Sequence, residues 1–517
     1  MKKQVVLVIL DGWGIGPKND SNPIYTQGTP NLDYIKANFP IGSLKTSGLS
    51  IDLPFGIEGN IEGHETLGAG RIIYQNYPRI TISIRDGSFG QNKVFLDAFA
   101  HAKKNNSALN LAGLLTEGNV HASIYHLLSL IKLAKQNGVP QINLHLFTDG
   151  KDSDPKAALR LIGSLMYELG SDEKIKIGSI AGRHFALDRE QHWTRTQQVY
   201  STMTGTGPST DNLEKFIRKN YENNVNDLYI EPRTIDTNFT LKDNDALIFF
   251  NFREDSMRQL AMPFAVPEFS SFPTKKLTNL YVATMTEYSS SFQTPVAYPP
   301  VEIPNTLGKV LADNGKFQVH IAETEKYAHV TYFFNGFHQE PYKNEFRILV
   351  PSPSTLNYSD KPEMQADEVT TRTIQAIEDG AFDFILVNYP NGDMVAHAGN
   401  FEAAKKAVKT IDDQVGRLLK ETQNRKNVTL IITSDHGNME VMKSPETGEI
   451  TTTHDPSPAP LYIVGSEHTK QNSPADIAAA EQTTAGTLAD VAPTVLELLG
   501  IPQPPEMTGQ SLLKILR

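Results

Sequence analysis

The strongest constraint in this chain is a pattern that occurs three times, in which a short apolar, β-branched run ends directly, or within a few residues, in acids and histidines. Residues 5–10 lead to Asp11, residues 384–388 to Asp393 and His397, and residues 428–433 to Asp435 and His436. Further runs of the same kind lie at 142–147, 246–250 and 461–464, alternating with amphipathic stretches. The clearest unit spans 122–148. There Ile124, Leu127, Leu128 and Ile131 recur at helical spacing, Asn137-Gly138 and Pro140 stop the helix, and a strand follows. This alternation predicts an α/β protein with a mainly parallel sheet. Ligands of open α/β sheets bind beyond the carboxyl ends of the strands, so these acids and histidines could converge although hundreds of residues separate them.

At 517 residues the chain is too long for one ordinary core, and two or more domains are expected. A content of 39% hydrophobic and 21% charged residues excludes disordered and fibrous classes. The net charge of -11 argues against a nucleic-acid partner, so an anionic ligand must meet a local basic pocket. With no cysteine there are no disulfides, thiolate metal sites or cysteine nucleophiles, which fits a reducing compartment, with cytoplasm the default. Met1-Lys2-Lys3 and the apolar run after it have the outline of a signal peptide. That run is short, however, and ends in Asp11-Gly12-Trp13-Gly14 without a small-residue cleavage pattern, so it reads as a buried strand. No apolar stretch approaches the roughly 18 residues that span a bilayer, and no membrane partner is expected. Ser289-Ser290-Ser291, then Pro295, Pro299, Pro300 and Pro304, mark the expected linker.

Asp393 and His397 stand four apart, so one helical turn would present both to a single cation. Asp435 and His436 are adjacent and can point to different ions, while His454 stands in Thr451-Thr452-Thr453-His454-Asp455-Pro456. Spacing alone leaves bland alternatives open: a solvated turn, a capping aspartate, a structural loop histidine. Carboxylate and imidazole donors without thiolate suit Mn²⁺, Zn²⁺ or Mg²⁺.

Ordered motifs cover nearly the whole chain: Leu10-Asp11-Gly12-Trp13-Gly14, Gly68-Ala69-Gly70-Arg71, Glu323-Thr324-Glu325-Lys326-Tyr327-Ala328-His329-Val330-Thr331, Asn391-Gly392-Asp393-Met394-Val395 through His397, Ser434-Asp435-His436-Gly437-Asn438, and Leu499-Gly500-Ile501 through Met507-Thr508-Gly509. In them the chain resembles the cofactor-independent (2,3-bisphosphoglycerate-independent) phosphoglycerate mutases of the alkaline phosphatase superfamily. That resemblance implies interconversion of 3-phosphoglycerate and 2-phosphoglycerate in glycolysis and gluconeogenesis by a monomer. It also implies two divalent ions, Mn²⁺ foremost, one on Asp393, His397 and His454 and the other on Asp11, Asp435 and His436 beside a nucleophilic serine. The implied architecture is a split phosphatase-like domain, 1–74 and 303–517, with a substrate-binding domain inserted at 76–298. Closure of the inserted domain would exclude water from the transfer.

A phosphoglycerate carries a phosphate and a carboxylate, so its pocket needs forked guanidinium donors and ammonium groups. Taken singly, arginines and lysines in loops are usually solvated surface charges. By resemblance, Arg183, Arg189 and Arg253 are the substrate arginines, His121 a substrate-contacting histidine, and Lys326 a phosphate contact. Lys326 also has a local ion pair with Glu325 as its alternative. Lys151-Asp152 falls where the family has Arg-Asp, and the aspartate there is the candidate for proton transfer to and from the glycerate hydroxyls.

The chain departs from the family at the nucleophile. The family's Gly-Asn-Ser-Glu-Val-Gly-His reads Gly59-Asn60-Ile61-Glu62-Gly63-His64, one residue shorter, with Ile61 best matching the serine. Isoleucine cannot attack phosphorus, and the implied covalent step has no evident donor. Thr66 is the candidate substitute, although five residues of helix carry it about 140° and roughly 7.5 Å from position 61. Ser256 also replaces a second arginine after Asn251-Phe252-Arg253, leaving Arg258 nearest. Transfer to water, giving a metal-dependent phosphatase, and a catalytically impaired metal-binding paralogue are the alternatives.

Overall fold

The computed structural model describes residues 2–46, 60–170, 172–444 and 447–516, without the side chains of Asn60 and Ile61. The chain divides into two compact units, Met1–Ile73 with Glu302–Arg517, and Tyr74–Val301. Each is built on its own sheet, as the α/β reading predicts.

The first unit holds an eight-stranded sheet in the order Glu345–Val350, Gln318–Glu323, Phe384–Tyr389, Gln4–Leu10, Val428–Thr433, Ala459–Val464, Ile41–Lys45, Gly486–Thr487. Its first five strands are parallel, and Ala459–Val464 runs antiparallel to both neighbours. Gln4–Leu10 is buried along its whole length because both faces of the sheet are covered. Side chains alternate across a strand, so Val6, Val8 and Leu10 enter one core, with Val408, Ile411 and Val415 of the Phe401–Gln423 helix. Val5, Leu7 and Ile9 enter the opposite core, with Leu67, Val491 and Leu496. Truncating any of these central residues to alanine should cost about 2–5 kcal/mol.

The second unit holds a seven-stranded sheet in the order Arg233–Thr234, Ile175–Gly182, Gln141–Thr148, Ala108–Leu115, Ala246–Phe249, Tyr281–Thr286, Val296–Tyr298. All its pairings are parallel except that of the two-residue edge strand Arg233–Thr234. The helix expected from Ile124 runs over Ile124–Gln136 and is followed by Gln141–Thr148, close to its sequence pattern. The proline-rich stretch is not all linker. Val296–Tyr298 pairs with Tyr281–Thr286 as an edge strand with Ala297 and Tyr298 buried, and Pro295 and Pro299 flank the strand without interrupting its ladder.

Candidate metal centre

Four adjacent parallel strands of the first unit deliver their following residues to one edge of the sheet. Register fixes this: Ile9 lies opposite both Asn388 and Thr433, so Asp11, the turn after Tyr389 and Ser434-Asp435 emerge at one level. The Asn391–His397 helix begins at the end of Phe384–Tyr389 and carries Asp393 and His397 on one face. Gly12 has a φ of +70°, and a Cβ there would stand 2.8 Å from the Asp393 Cα, so only glycine lets the two loops meet.

Two clusters result. In the first, Asp393 Oδ1 lies 3.1 Å from His397 Nε2 and 3.3 Å from His454 Nε2, and the two imidazole nitrogens are 3.0 Å apart. An ion with bonds of about 2.0–2.1 Å in tetrahedral geometry separates its donors by roughly 3.3–3.4 Å, close to these values. In the second, His436 Nε2 lies 3.3 Å from Asp435 Oδ2 and 3.8 Å from Asp11 Oδ1. The clusters adjoin: His436 Nε2 is 4.0 Å from Asp393 Oδ1, and the His436 and His454 rings stack at 3.9 Å. His397 Nδ1 is 2.7 Å from the Thr452 carbonyl and His436 Nδ1 is 3.1 Å from that of Gly437. Donation from Nδ1 to those carbonyls leaves each Nε2 lone pair facing its cluster, the tautomer that a metal ligand needs. Asp435 Oδ2, buried, lies 3.3 Å from both His64 Nδ1 and His436 Nε2. The donor set thus fits two divalent cations.

Lys326 reaches the same place from the helix after Gln318–Glu323. Its Nζ, buried, donates to Asp11 Oδ1 and Asp393 Oδ2, both at 2.7 Å. The local pair with Glu325 does not form; Glu325 accepts from the Tyr358 hydroxyl instead. Burial, which would pull Lys326 down, is outweighed by Asp11 and Asp393, and its pKa rises. Burial and the Asp435 charge hold Asp11 above the usual carboxylate range. For Asp393 burial acts upward but Lys326, His397 and His454 outweigh it, and the carboxyl lies well below that range.

Three residues that sequence reasoning left out join this network. Asn388 Nδ2 donates to Asp11 Oδ2 at 2.7 Å and lies 3.0 Å from His64 Nε2. His64 Nδ1 is 3.3 Å from Asp435 Oδ2. Asn438 Nδ2 donates to Asp393 Oδ1 at 2.9 Å. His64 and Asn438 stand within the motifs already quoted, whereas a strand asparagine gives no local signal. The Asn60–Ala69 helix brings His64 in, and a Cβ on its Gly63 would lie 2.8 Å from Asp435 Cβ. This helix is unbroken from Asn60 onward; Gly59 and the Ile61 side chain lie outside the described residues. Thr66 is buried on the same helix, and its Oγ1 has no hydrogen-bond partner.

The second unit contains a cavity of about 610 Å³ lined by His121, Lys151, Asp152, Arg183, Arg189 and Arg253, together with Arg195 and Ser256. Arg183 Nη1 donates to Asp149 Oδ1 at 2.7 Å and Asp152 Oδ2 at 2.6 Å, and its Nη2 lies 2.7 Å from His121 Nε2. The other side of that ring, Nδ1, is 2.9 Å from Ser256 Oγ. Burial, with Arg183 and Arg253 nearby, pulls His121 down to about 4, so it is neutral at pH 7. Arg189 and Arg253 both bind Asp255. Arg258, whose Nε donates to the Tyr288 carbonyl at 2.7 Å, does not line this cavity. Arg195 adds a guanidinium to the cavity wall instead, held by Asp188 at 2.8 Å.

Fold and donor geometry define an α/β metalloenzyme, and residues 3–503 match the metalloenzyme superfamily. The chain is 42% identical over 523 residues to a 2,3-bisphosphoglycerate-independent phosphoglycerate mutase of Clostridioides difficile, covering 99% of each chain. It is 42% identical over 520 residues to 2,3-bisphosphoglycerate-independent phosphoglycerate mutase 1 of Methanosarcina barkeri, covering 99% of this chain and 98% of that one. A crystal structure of Leishmania mexicana phosphoglycerate mutase at low cobalt concentration matches with a TM-score of 0.61 and 25% identity, over 99% of this chain and 97% of that one. The chain belongs to the family of 2,3-bisphosphoglycerate-independent phosphoglycerate mutases.

Proposed function

We propose that the chain interconverts 3-phosphoglycerate and 2-phosphoglycerate, using one divalent cation on Asp393, His397 and His454 and a second on Asp11, Asp435 and His436. Mn²⁺ is the leading candidate, with Zn²⁺ and Mg²⁺ compatible with the same donors. When bound, the cations neutralise charge on a transferring phosphoryl group. The observation that carries this reading is the composition of the second unit's cavity. Arg183, Arg189, Arg253 and Lys151 supply cationic donors for a phosphate and a carboxylate, and Asp152 beside them provides a proton carrier. His121, neutral with Nε2 turned to Arg183, fixes that guanidinium against Asp152. Lys326 holds Asp11 and Asp393 together and offers a cation to the phosphate.

The chain departs from its family at the residue that accepts the phosphoryl group. Counting forward from Gly59-Asn60 puts Ile61 at the family's serine, whereas counting back from His64 along the unbroken helix puts Asn60 there. Neither carries a hydroxyl. Thr66, a turn beyond Gly63, is the buried hydroxyl on the same helix. This absence favours a second reading, in which water accepts the phosphoryl group and the protein is a phosphatase.

An enolase-coupled assay on EDTA-treated protein, with and without Mn²⁺, tests the first reading, and inorganic phosphate release tests the second. Formation of 2-phosphoglycerate is expected. Phosphate release without isomerisation would favour the phosphatase, and neither product would leave a catalytically impaired paralogue.

A further inference from the structure

Glu440 lies at the crossing of the two loops that carry the second cluster. It is fully buried, and no cation pairs with it among the described residues. Its Oε2 accepts the N–H of Gly14 at 2.7 Å and that of Asn438 at 3.0 Å. Gly14 is three residues beyond Asp11, and Asn438 two beyond His436. Around this carboxylate the loops are laced together: Met439 N donates to the Gly12 carbonyl at 2.9 Å and Trp13 N to Ser434 Oγ at 3.0 Å. A Cβ at Gly14, Gly16 or Gly437 would overlap the Glu440 side chain. Glycine at all three lets the backbone close around one carboxyl group. The second oxygen, Oε1, is buried without a partner. A buried carboxylate with no cation costs stability that a hydrophobic residue of similar size would not, so its place here needs a reason beyond packing.

We propose that Glu440 is a positioning residue for the metal centre: a carboxylate clasp that fixes the Asp11 loop against the Asp435-His436 loop. Through the Asn438 backbone it also sets the amide that donates to Asp393 Oδ1. The inference rests on the two-cation reading above, and it concerns affinity for the ions. Groups that orient metal ligands typically change affinity by about 10–100-fold when removed.

The test is calorimetric titration of Mn²⁺ into the EDTA-treated full chain. Wild type is expected to take two equivalents. Glu440→Ala should weaken one of the two steps by about 10–100-fold. Glu440→Gln keeps an oxygen that accepts the same two N–H groups and should stay within about threefold of wild type, because the clasp works by hydrogen bonding rather than by charge. Glu440→Asp withdraws the carboxylate by one methylene and should weaken the same step by about fivefold or more, and it decides the matter if circular dichroism shows that the alanine variant does not fold. Unchanged affinity in the alanine or aspartate variant overturns the clasp, as does a glutamine variant that loses as much as alanine. Wild type binding no metal would instead overturn the two-cation reading itself.

Discussion

At the scale of single residues, the centre is governed by an excess of buried negative charge. Asp11, Asp393 and Asp435 are all buried, and Lys326 bridges two of them. Removing one partner of a buried ion pair strands the other charge, at a cost of about 3–5 kcal/mol. Lys326→Met should therefore lower urea stability by about that amount in EDTA, and saturating Mn²⁺ should restore most of it, because the ions supply the missing positive charge. Equal midpoints for variant and wild type in EDTA would refute this. In the cavity, Arg183 uses its fork to hold Asp149, Asp152 and His121 at once, a geometry that an ammonium cannot copy. Arg183→Lys should cut kcat/KM for 3-phosphoglycerate by about tenfold or more with Mn²⁺ affinity unchanged. A variant with wild-type kinetics would remove Arg183 from the substrate site.

At the scale of elements, the strands and the groups at their ends were the legible part. Residues 5–10 and 428–433 carry enough β-branched apolar sequence to define buried strands, and the acids follow within reach of them. What escaped was of two kinds. Asn388 lies within a strand, where one polar residue among apolar ones signals nothing until register sets it beside Asp11. Glu440 matters only because two loops separated by over four hundred residues cross, which no local pattern encodes. His121, Lys151, Asp152, Arg189 and Arg253 sit on loops without periodicity and Arg183 opens a four-residue helix, so only resemblance picked them out, and it passed over Arg195 on the Trp193–Met203 helix. His126 makes a different point, because it interrupts the apolar stripe of the Ile124–Gln136 helix and is nonetheless buried. It packs on the Tyr77 and Phe252 rings, with Nε2 2.8 Å from Thr81 Oγ1. Burial pulls it down to about 3, far below its unfolded value. The unfolded chain therefore binds a proton that the folded one refuses, so stability is intact above about pH 6.5 and falls as the pH drops toward the folded value. Between pH 7.5 and 5.0 this group alone should cost about 2 kcal/mol. His126→Leu should flatten the pH dependence of urea stability by that amount relative to wild type, and parallel curves for the two proteins would show that the histidine is not held neutral.

At the scale of the molecule, the sheets and cores are separate: one apolar core belongs to Tyr74–Val301, and two flank the sheet of the other unit. The donors for metal lie wholly in one unit and the basic cavity wholly in the other. A ligand stabilises what it binds by RT ln(1 + [L]/Kd), about 2.7 kcal/mol at a hundredfold excess over Kd. For units of this size that corresponds to a rise of about 5–10 °C. Differential scanning calorimetry should accordingly resolve two transitions. Mn²⁺ should raise one of them, and 3-phosphoglycerate added in EDTA should raise the other, because the cavity holds the guanidinium donors for it whereas Lys326 is already engaged by Asp11 and Asp393. Assignment follows from variants: Asp435→Asn should reduce the shift with Mn²⁺, leaving what the Asp393, His397 and His454 cluster supplies, and spare that with phosphoglycerate, while Arg183→Lys should reduce the phosphoglycerate shift and spare that with Mn²⁺. If the substrate in EDTA moved only the transition that Mn²⁺ moves, the arginine-lined cavity could not be where phosphoglycerate is held, and the division of labour between the two units would be wrong.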